Sequence, residues 1–206
     1  MDIGLVQSLA HPGGNMTGVT FEAASETYTK RLQILKEIMP NLSRVAVLGA
    51  KDDPNFQFAM KSLKQSAPAL QVALTPIELT SKDDLENAFD EMKRGRTEAL
   101  LVVAGGLTYA SSKTIADLAL ANALPSCHGF KETVAAGGLI SLGPDLVLLA
   151  KQSARLIHKV IKGARPADIP VEQPTHYTMS INLKTAKALG VTIPPALLAR
   201  ADEVIE

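Results

Sequence analysis

Few side chains in this 206-residue sequence fall into an arrangement that could make or break bonds. The four histidines, His11, His128, His158 and His176, are scattered, with no H-E-x-x-H or Cys-x-x-Cys pairing around them. A single cysteine, Cys127, excludes an intrachain disulfide and any cysteine-based zinc site. Cys127 and His128 are neighbours in a strand-like stretch, where successive side chains point to opposite faces. That geometry disfavours a thiol–imidazole nucleophile against a buried thiol beside a pocket-lining histidine. His158 lies beside Lys159 and Lys162 and reads as a surface residue. No complete phosphate loop and no G-x-S-x-G elbow occur, and Gly105–Gly106 alone is a weak signal. The sequence therefore predicts no catalytic group, no metal and no cofactor.

Binding chemistry is better represented. Three stretches follow strand-like runs and mix aromatic with polar residues. The first is Ala50-Lys51-Asp52-Asp53-Pro54-Asn55-Phe56, a polar loop entering a helix whose free N–H groups and dipole suit an anionic group. The second is Gly105-Gly106-Leu107-Thr108-Tyr109, and the third His128-Gly129-Phe130. Phe56, Tyr109 and Phe130 are three of only eight aromatic residues (five Phe, three Tyr, no Trp). In open α/β sheets ligands bind outside the carboxyl ends of the strands, and a small-molecule pocket combines aromatic walls with a few polar anchors. Taken singly, Phe56 and Phe130 serve equally well to pack helices on a sheet; the coincidence in three loops favours a pocket.

The elements that would position these loops alternate strand and helix. RVAVLGA (44–50), QVALTPIEL (71–79), EALLVVAGG (98–106) and LPSCHG (124–129) read as strands, with Pro76 pushing the second towards a sheet edge. Ser25–Met39 carries Tyr28, Leu32, Leu35 and Met39 as one helical stripe. Asp53 caps a helix over 54–66 with Pro54 in its first turn, and Ser81 with Asp84 forms an approximate capping box for 82–93. Residues 111–122 form a further helix with Ile115, Leu118 and Leu120 inside. Such alternation calls for right-handed crossovers and a doubly wound parallel sheet. Beyond it, LISLG (139–143) reads as a strand, and a long helix at 145–162 lines up Leu149, Ala150, Ala154, Ile157 and Ile161. A Pro-rich connection (164–174), an alternating strand (176–183) and short helices near 184–189 and 195–204 complete the chain. HPGGNMTG (11–18) specifies a tight turn and suits a linker between lobes.

Composition bounds the partners. Lys and Arg (21) balance Asp and Glu (21), which argues against nucleic acid and against a polybasic membrane surface. At 46% hydrophobic and 20% charged residues the chain can bury a core. No apolar run is long enough to span a bilayer, and residues 1–10 lack the pattern of a signal peptide, so the chain as written is expected in the cytoplasm.

Several segments together resemble the ABC transporter substrate-binding proteins of the tryptophan/tyrosine-binding type: SLAHPGGNMTGVT (8–20), RLQILKEIMPNLSRVAVL (31–48), LPSCHGFKETVAAGGLISLGPDL (124–146), PADIPVEQPTHY (166–177) and INLKTAKALGVTIPPALLARADEVIE (181–206). The resemblance runs in order over essentially the whole chain. It implies a type I periplasmic-binding fold, with two doubly wound lobes closing on a small solute such as an aromatic amino acid, an ABC permease as partner, and an extracytoplasmic site of work. By position it implies the end of the first lobe and a hinge at 1–25, a second lobe at 26–131, a return into the first lobe at 132–169, and a last crossing and tail at 170–206. Asp52, Asp53, Asn55, Phe56, Thr108, Tyr109, His128 and Phe130 would hold ligand from the second lobe, and Pro144 and Asp145 from the first. Where relatives often carry Asn-Pro-x-Asn-Pro-x-Ser, this chain has Lys51-Asp52-Asp53-Pro54-Asn55-Phe56-Gln57, and the acidic pair disfavours an anionic ligand group at that spot.

In such proteins the PGGN turn follows a signal sequence and most of a first lobe, roughly 100 residues. Here the turn begins near residue 11, so those parts are expected to be absent and only remnant first-lobe elements to remain. Segment 138–163, with its sheet neighbours lost, is then expected to form a homo-oligomer through an exposed strand edge and an apolar helix face. Two readings of other classes compete: an effector-sensing regulatory module of the same fold, which calls for a helix-turn-helix segment, and a small α/β enzyme using His128 or Asp53, which calls for a base–nucleophile pair.

Overall fold

The computed structural model describes residues 4–21 and 25–206. Residues 1–3 and 22–24 of the expected first segment lie outside the described residues. The contacts divide the chain into two units. One joins the residues up to Phe21 with Pro144–Tyr177, and the other joins Ser25–Gly143 with Thr178–Glu206.

The larger unit is built on β1 (Arg44–Ala50), β2 (Ala73–Leu79), β3 (Ala99–Val102), β4 (Ser126–His128), β5 (Ile140–Pro144), β6 (Tyr177–Asn182) and β7 (Glu203–Ile205). They form a seven-stranded, mostly parallel sheet of order β2-β1-β3-β4-β5-β6-β7. Val45 and Val47 of β1 pack on one face with helices α1 (Ser25–Ile38) and α2 (Pro54–Ser66), while Ala46 and Leu48 pack on the other with α3 (Leu85–Arg94). Burial on both faces explains why β1 and β3 are almost wholly apolar. It also makes the sheet doubly wound, as the alternation predicts. β2 is an edge strand, and Pro76 sits in it at no cost to a second ladder.

Local signals set the element ends. Asp53 caps α2 by accepting from Asn55 N at 2.9 Å, with Pro54 in the first turn. The Ser81–Asp84 capping box closes a 3₁₀ turn (Lys82–Asp84) that runs into α3. Two short helices escape sequence reading, α4 (Gly106–Ala110) and α6 (Lys131–Ala135), because each is a single turn without a period. Between them α5 (Ser112–Ala121) buries Ile115, Ala116 and Ala119, whereas Leu120, expected inside, is 40% exposed. Positions 115, 116 and 119 trace the inward stripe; 120 lies one residue past it. After β6 come α8 (Leu183–Leu189) and α9 (Pro195–Leu198), and the tail is tied by Arg200 to Glu37 at 2.9 Å and by Asp202 Oδ2 accepting from Met179 N at 2.7 Å.

β5 lies inside the sheet, between β4 and β6. The strand of segment 138–163 therefore has neighbours on both sides, which removes the exposed edge expected there. The contact division falls between Gly143 and Pro144.

In the smaller unit α7 (Leu146–Ile161) starts at Asp145, whose carboxylate accepts from Val147 N and Leu148 N at 2.8 and 3.1 Å. Val19 bridges Glu172, and Thr17 Oγ1 donates to Ile169 O at 2.8 Å. Gly13 adopts φ 73°, the left-handed turn its motif predicts. The expected α7 stripe is corrected: Leu149 and Leu156, two turns apart, are buried, whereas Ala150, Ala154, Ile157 and Ile161 are exposed. The helix carries two apolar stripes, and the inner one is completed by half-buried Gln152, which donates to Glu172 at 3.3 Å.

Three non-glycine residues, Gln71, Arg96 and Ala123, hold φ of 55°, 53° and 53° just before β2, β3 and β4. This left-handed conformation costs roughly 1–2 kcal/mol for an L-residue. Ala123→Gly relieves it, less about 0.4–1 kcal/mol of added unfolded-state entropy. A net gain of roughly 0.5 kcal/mol is expected, read as a rise of a degree or two in Tm; a fall in Tm contradicts it.

Candidate functional site

Strand order reverses between β1 and β3: the chain leaves β1 for β2 on one side and returns to place β3 on the other. Such a reversal splays the following loops apart and leaves a crevice at the carboxyl ends. The loops after β1 and β3 flank that point, and the loop after β4 is next in line.

The β1 and β3 loops are stitched together by the chain itself. Asn55 Nδ2 donates to Ala104 O at 2.6 Å. Asp53 accepts from Asn55 N through Oδ1, while a Cβ built on Gly105 would fall 2.5 Å from its Oδ2. Only glycine lets the β3 loop come that close to the carboxylate. Thr108 Oγ1 donates to Val103 O at 2.7 Å and Gly105 O at 3.1 Å, locking α4 onto the end of β3.

The expected ligand residues separate by exposure. Phe56 (1% exposed) is a core residue with Ala59 and Leu63, and Thr108 (3%) is consumed by backbone carbonyls. His128 (1%) hydrogen-bonds Ser126 Oγ at 2.9 Å inside the unit. Asp52 and Tyr109 are exposed, and Asp53 and Asn55 are half-buried. Tyr109 stands edge-on to Phe130, with ring centroids 5.5 Å apart and planes at 89°, a favoured aromatic geometry. The structure thus brings together Asp53, Asn55 and the β3 loop at the reversal, with the Tyr109–Phe130 pair beside them. Pro144 is buried at the end of β5, and Asp145 engages the α7 N-terminus.

Burial decides the chemistry of Cys127 and His128, which lie on opposite faces of β4. Loss of solvent pushes the Cys127 thiol up to about 12, against the opposing Arg31 charge and a hydrogen bond from the His128 backbone. It pushes the His128 imidazole down to about 4, and the Arg31 charge acts in the same direction. Both groups are neutral at pH 7, which is unsuited to a thiolate–imidazolium pair. Among the described residues no cluster of three or more His, Cys, Asp or Glu has the geometry to hold a metal ion.

Sequence reasoning missed one residue at this site. Arg31 is fully buried beneath the ends of β4 and β5, with Nε donating to Leu142 O at 2.8 Å and the guanidinium 4.9 Å from the Tyr28 ring centre. A signal existed: Arg31 stands three residues from Tyr28 and four before Leu35, on the buried stripe of α1.

An open groove of about 600 Å³ lies in the smaller unit, lined among others by Leu9, Gln152, Arg155, Pro170 and Glu172. It contains no candidate residue and no aromatic surface, and its charges pair with each other, Arg155 to Glu172 at 3.5 Å.

The seven-stranded, mostly parallel, doubly wound sheet matches folds of the periplasmic-binding-protein type. The chain belongs to the ABC transporter substrate binding protein family, whose sequence pattern matches residues 1–205. A tyrosine-binding protein of Clostridioides difficile (strain R20291) is 25% identical over 191 residues, covering 93% of this chain and 54% of its own length. The chain therefore spans about half the length of that curated relative. A solved ABC domain from Streptococcus pneumonia, in complex with L-Trp, matches with a TM-score of 0.90 at 26% identity, covering all of this chain and 70% of that one. A conserved domain protein from Vibrio cholerae shares the fold, with a TM-score of 0.91 at 24% identity over 99% of this chain and 68% of its own. No described helix is long and apolar enough to cross a membrane.

The depressed imidazole gives a pH signature. His128 titrates near 6.5 when unfolded and about 4 when folded, so between these values the unfolded state holds the extra proton and stability falls as pH falls. Above 6.5 the effect vanishes. Its full size is roughly 3 kcal/mol, reached near pH 4. Protonation would also leave a charged N–H at Nδ1, which has no hydrogen-bond partner among the described residues. Thermal melts of wild type and His128→Gln from pH 7 to 4 are expected to diverge, with the variant less sensitive to acid; parallel curves contradict the assignment.

Proposed function

We propose that the chain is the substrate-binding component of an ABC importer, taking a small solute with an aromatic side chain at the carboxyl ends of β1, β3 and β4. The observation that carries this reading is the edge-to-face Tyr109–Phe130 pair beside the β1–β3 reversal, in a chain with only eight aromatic residues. Relatives that bind tyrosine or hold L-Trp support the solute class. The residues offered to the ligand are Asp52, Asp53, Asn55 and Tyr109, with Phe130 as a wall. Phe56, Thr108 and His128 act beneath the surface, fixing the loops. Pro144 and Asp145 remain part of the proposal on resemblance alone. Binding without turnover is the role proposed, with an ABC permease as the receiving partner and an extracytoplasmic site of work.

Self-association through 138–163 rests on the exposed α7 stripe, with Ile157 at 59% and Ile161 at 77% exposure. A second copy covering that stripe is expected to appear as a dimer in light scattering at high protein concentration; a monodisperse monomer contradicts it.

The binding reading is tested by calorimetric titration with L-tryptophan and L-tyrosine. Saturable binding is expected, weakened about three- to tenfold by Tyr109→Ala, the worth of one aromatic pair. Absence of binding, or equal affinity in the variant, contradicts the reading.

A further inference from the structure

The glycines at the strand ends are of two kinds. Gly105, Gly129 and Gly143 are demanded by contact. A Cβ on Gly105 would fall 2.5 Å from Asp53 Oδ2, one on Gly129 would fall 2.6 Å from the Ala104 Cβ, and one on Gly143 would run into the Gly129 carbonyl oxygen. Gly106 differs from all three. Apart from its chain neighbours and the backbone of its own helix, no described atom lies within 4 Å of where its Cβ would stand. Its φ also lies outside the left-handed region that favours glycine. Neither packing nor backbone conformation therefore calls for glycine at 106. Since glycine in a helix costs backbone entropy relative to alanine, the fold alone would be better served by a side chain there.

Gly106 opens α4, and Tyr109 follows three residues later, so the two share one face of that helix. Both are exposed, whereas Leu107 is half-buried and Thr108 buried. The outward face of α4 thus carries the Tyr109 ring, edge-on to Phe130, and beside it a position with no side chain and open space in front of it. The aromatic pair offers any ring an attractive edge or face. Gly106 offers only volume, and volume discriminates by size.

We propose that Gly106 is the specificity-determining residue of this site: its missing side chain leaves room beside Tyr109 for the second ring of a fused bicyclic aromatic solute, so that the site favours an indole over a single phenol ring. The inference rests on the aromatic-solute reading above and names the ring size which that reading leaves open. A carbon that fills space needed by one ligand and not by another changes their relative affinity by roughly 10–200-fold.

The test is calorimetric titration of wild type, Gly106→Ala and Gly106→Val with L-tryptophan and L-tyrosine. Wild type is expected to prefer L-tryptophan by on the order of tenfold. Gly106→Ala is expected to bring the ratio to about one, through loss of L-tryptophan affinity, and Gly106→Val to reverse it. Melting curves give the second readout. Gly106→Ala is expected to melt no lower than wild type; a Tm lowered by more than about 2 °C shows that the fold itself requires the glycine and overturns the inference. If Gly106→Val does not fold, Gly106→Ala decides alone. A wild-type ratio near one, a ratio unchanged in Gly106→Ala, or equal weakening of both ligands also overturns the inference while leaving aromatic binding intact. Failure of wild type to bind either compound overturns the aromatic reading and this inference together.

Discussion

The reversal of strand order between β1 and β3 is the constraint on which the rest of this protein depends. Parallel strands cannot be joined by tight turns, so each is followed by a helix that covers one face of the sheet. With helices on both faces, the strand interiors become apolar and all polar chemistry is driven to the ends. At the reversal two successive loops diverge, and here the chain bridges them through the Asn55–Ala104 hydrogen bond and the close fit of Asp53 against Gly105. The bridge fixes where Tyr109 starts, because α4 is anchored through Thr108 to the same strand end.

Most of this framework is legible in the residues. Asp53-Pro54 announces a helix start, the apolar runs at 44–50 and 99–102 announce strands covered twice, and Pro76 announces an edge. Periodicity fails where elements are single turns, as with α4 and α6, and where a helix has two apolar stripes, as with α7. In the latter case sequence alone cannot say which stripe meets a neighbour, and the inner one proves to be Leu149 with Leu156. Within the candidate site, residue type and strand-end position pick out the loops but do not say which side chains face solvent. Phe56 and His128 have the types expected of ligand contacts, yet packing turns both inward.

Arg31 shows why the remainder is not legible. Read as a charge on a helix it belongs to the solvated face, yet three-residue spacing from Tyr28 puts it on the buried stripe. One of its partners is a carbonyl 111 residues away, that of Leu142, which no local pattern reveals. Burial explains why neither Cys127 nor His128 carries reactive charge: loss of solvent holds the thiol protonated against the opposing Arg31 charge, and holds the imidazole neutral with the Arg31 charge adding to it.

The central claim is that the ligand face lies at the carboxyl ends of β1, β3 and β4. Amide chemical-shift mapping by NMR during titration with L-tryptophan tests it most directly. The account predicts perturbed amides clustered at 51–55, 105–109 and 129–131. Perturbation centred instead on the groove lined by Leu9, Gln152, Arg155 and Glu172, with the strand-end loops silent, would contradict it.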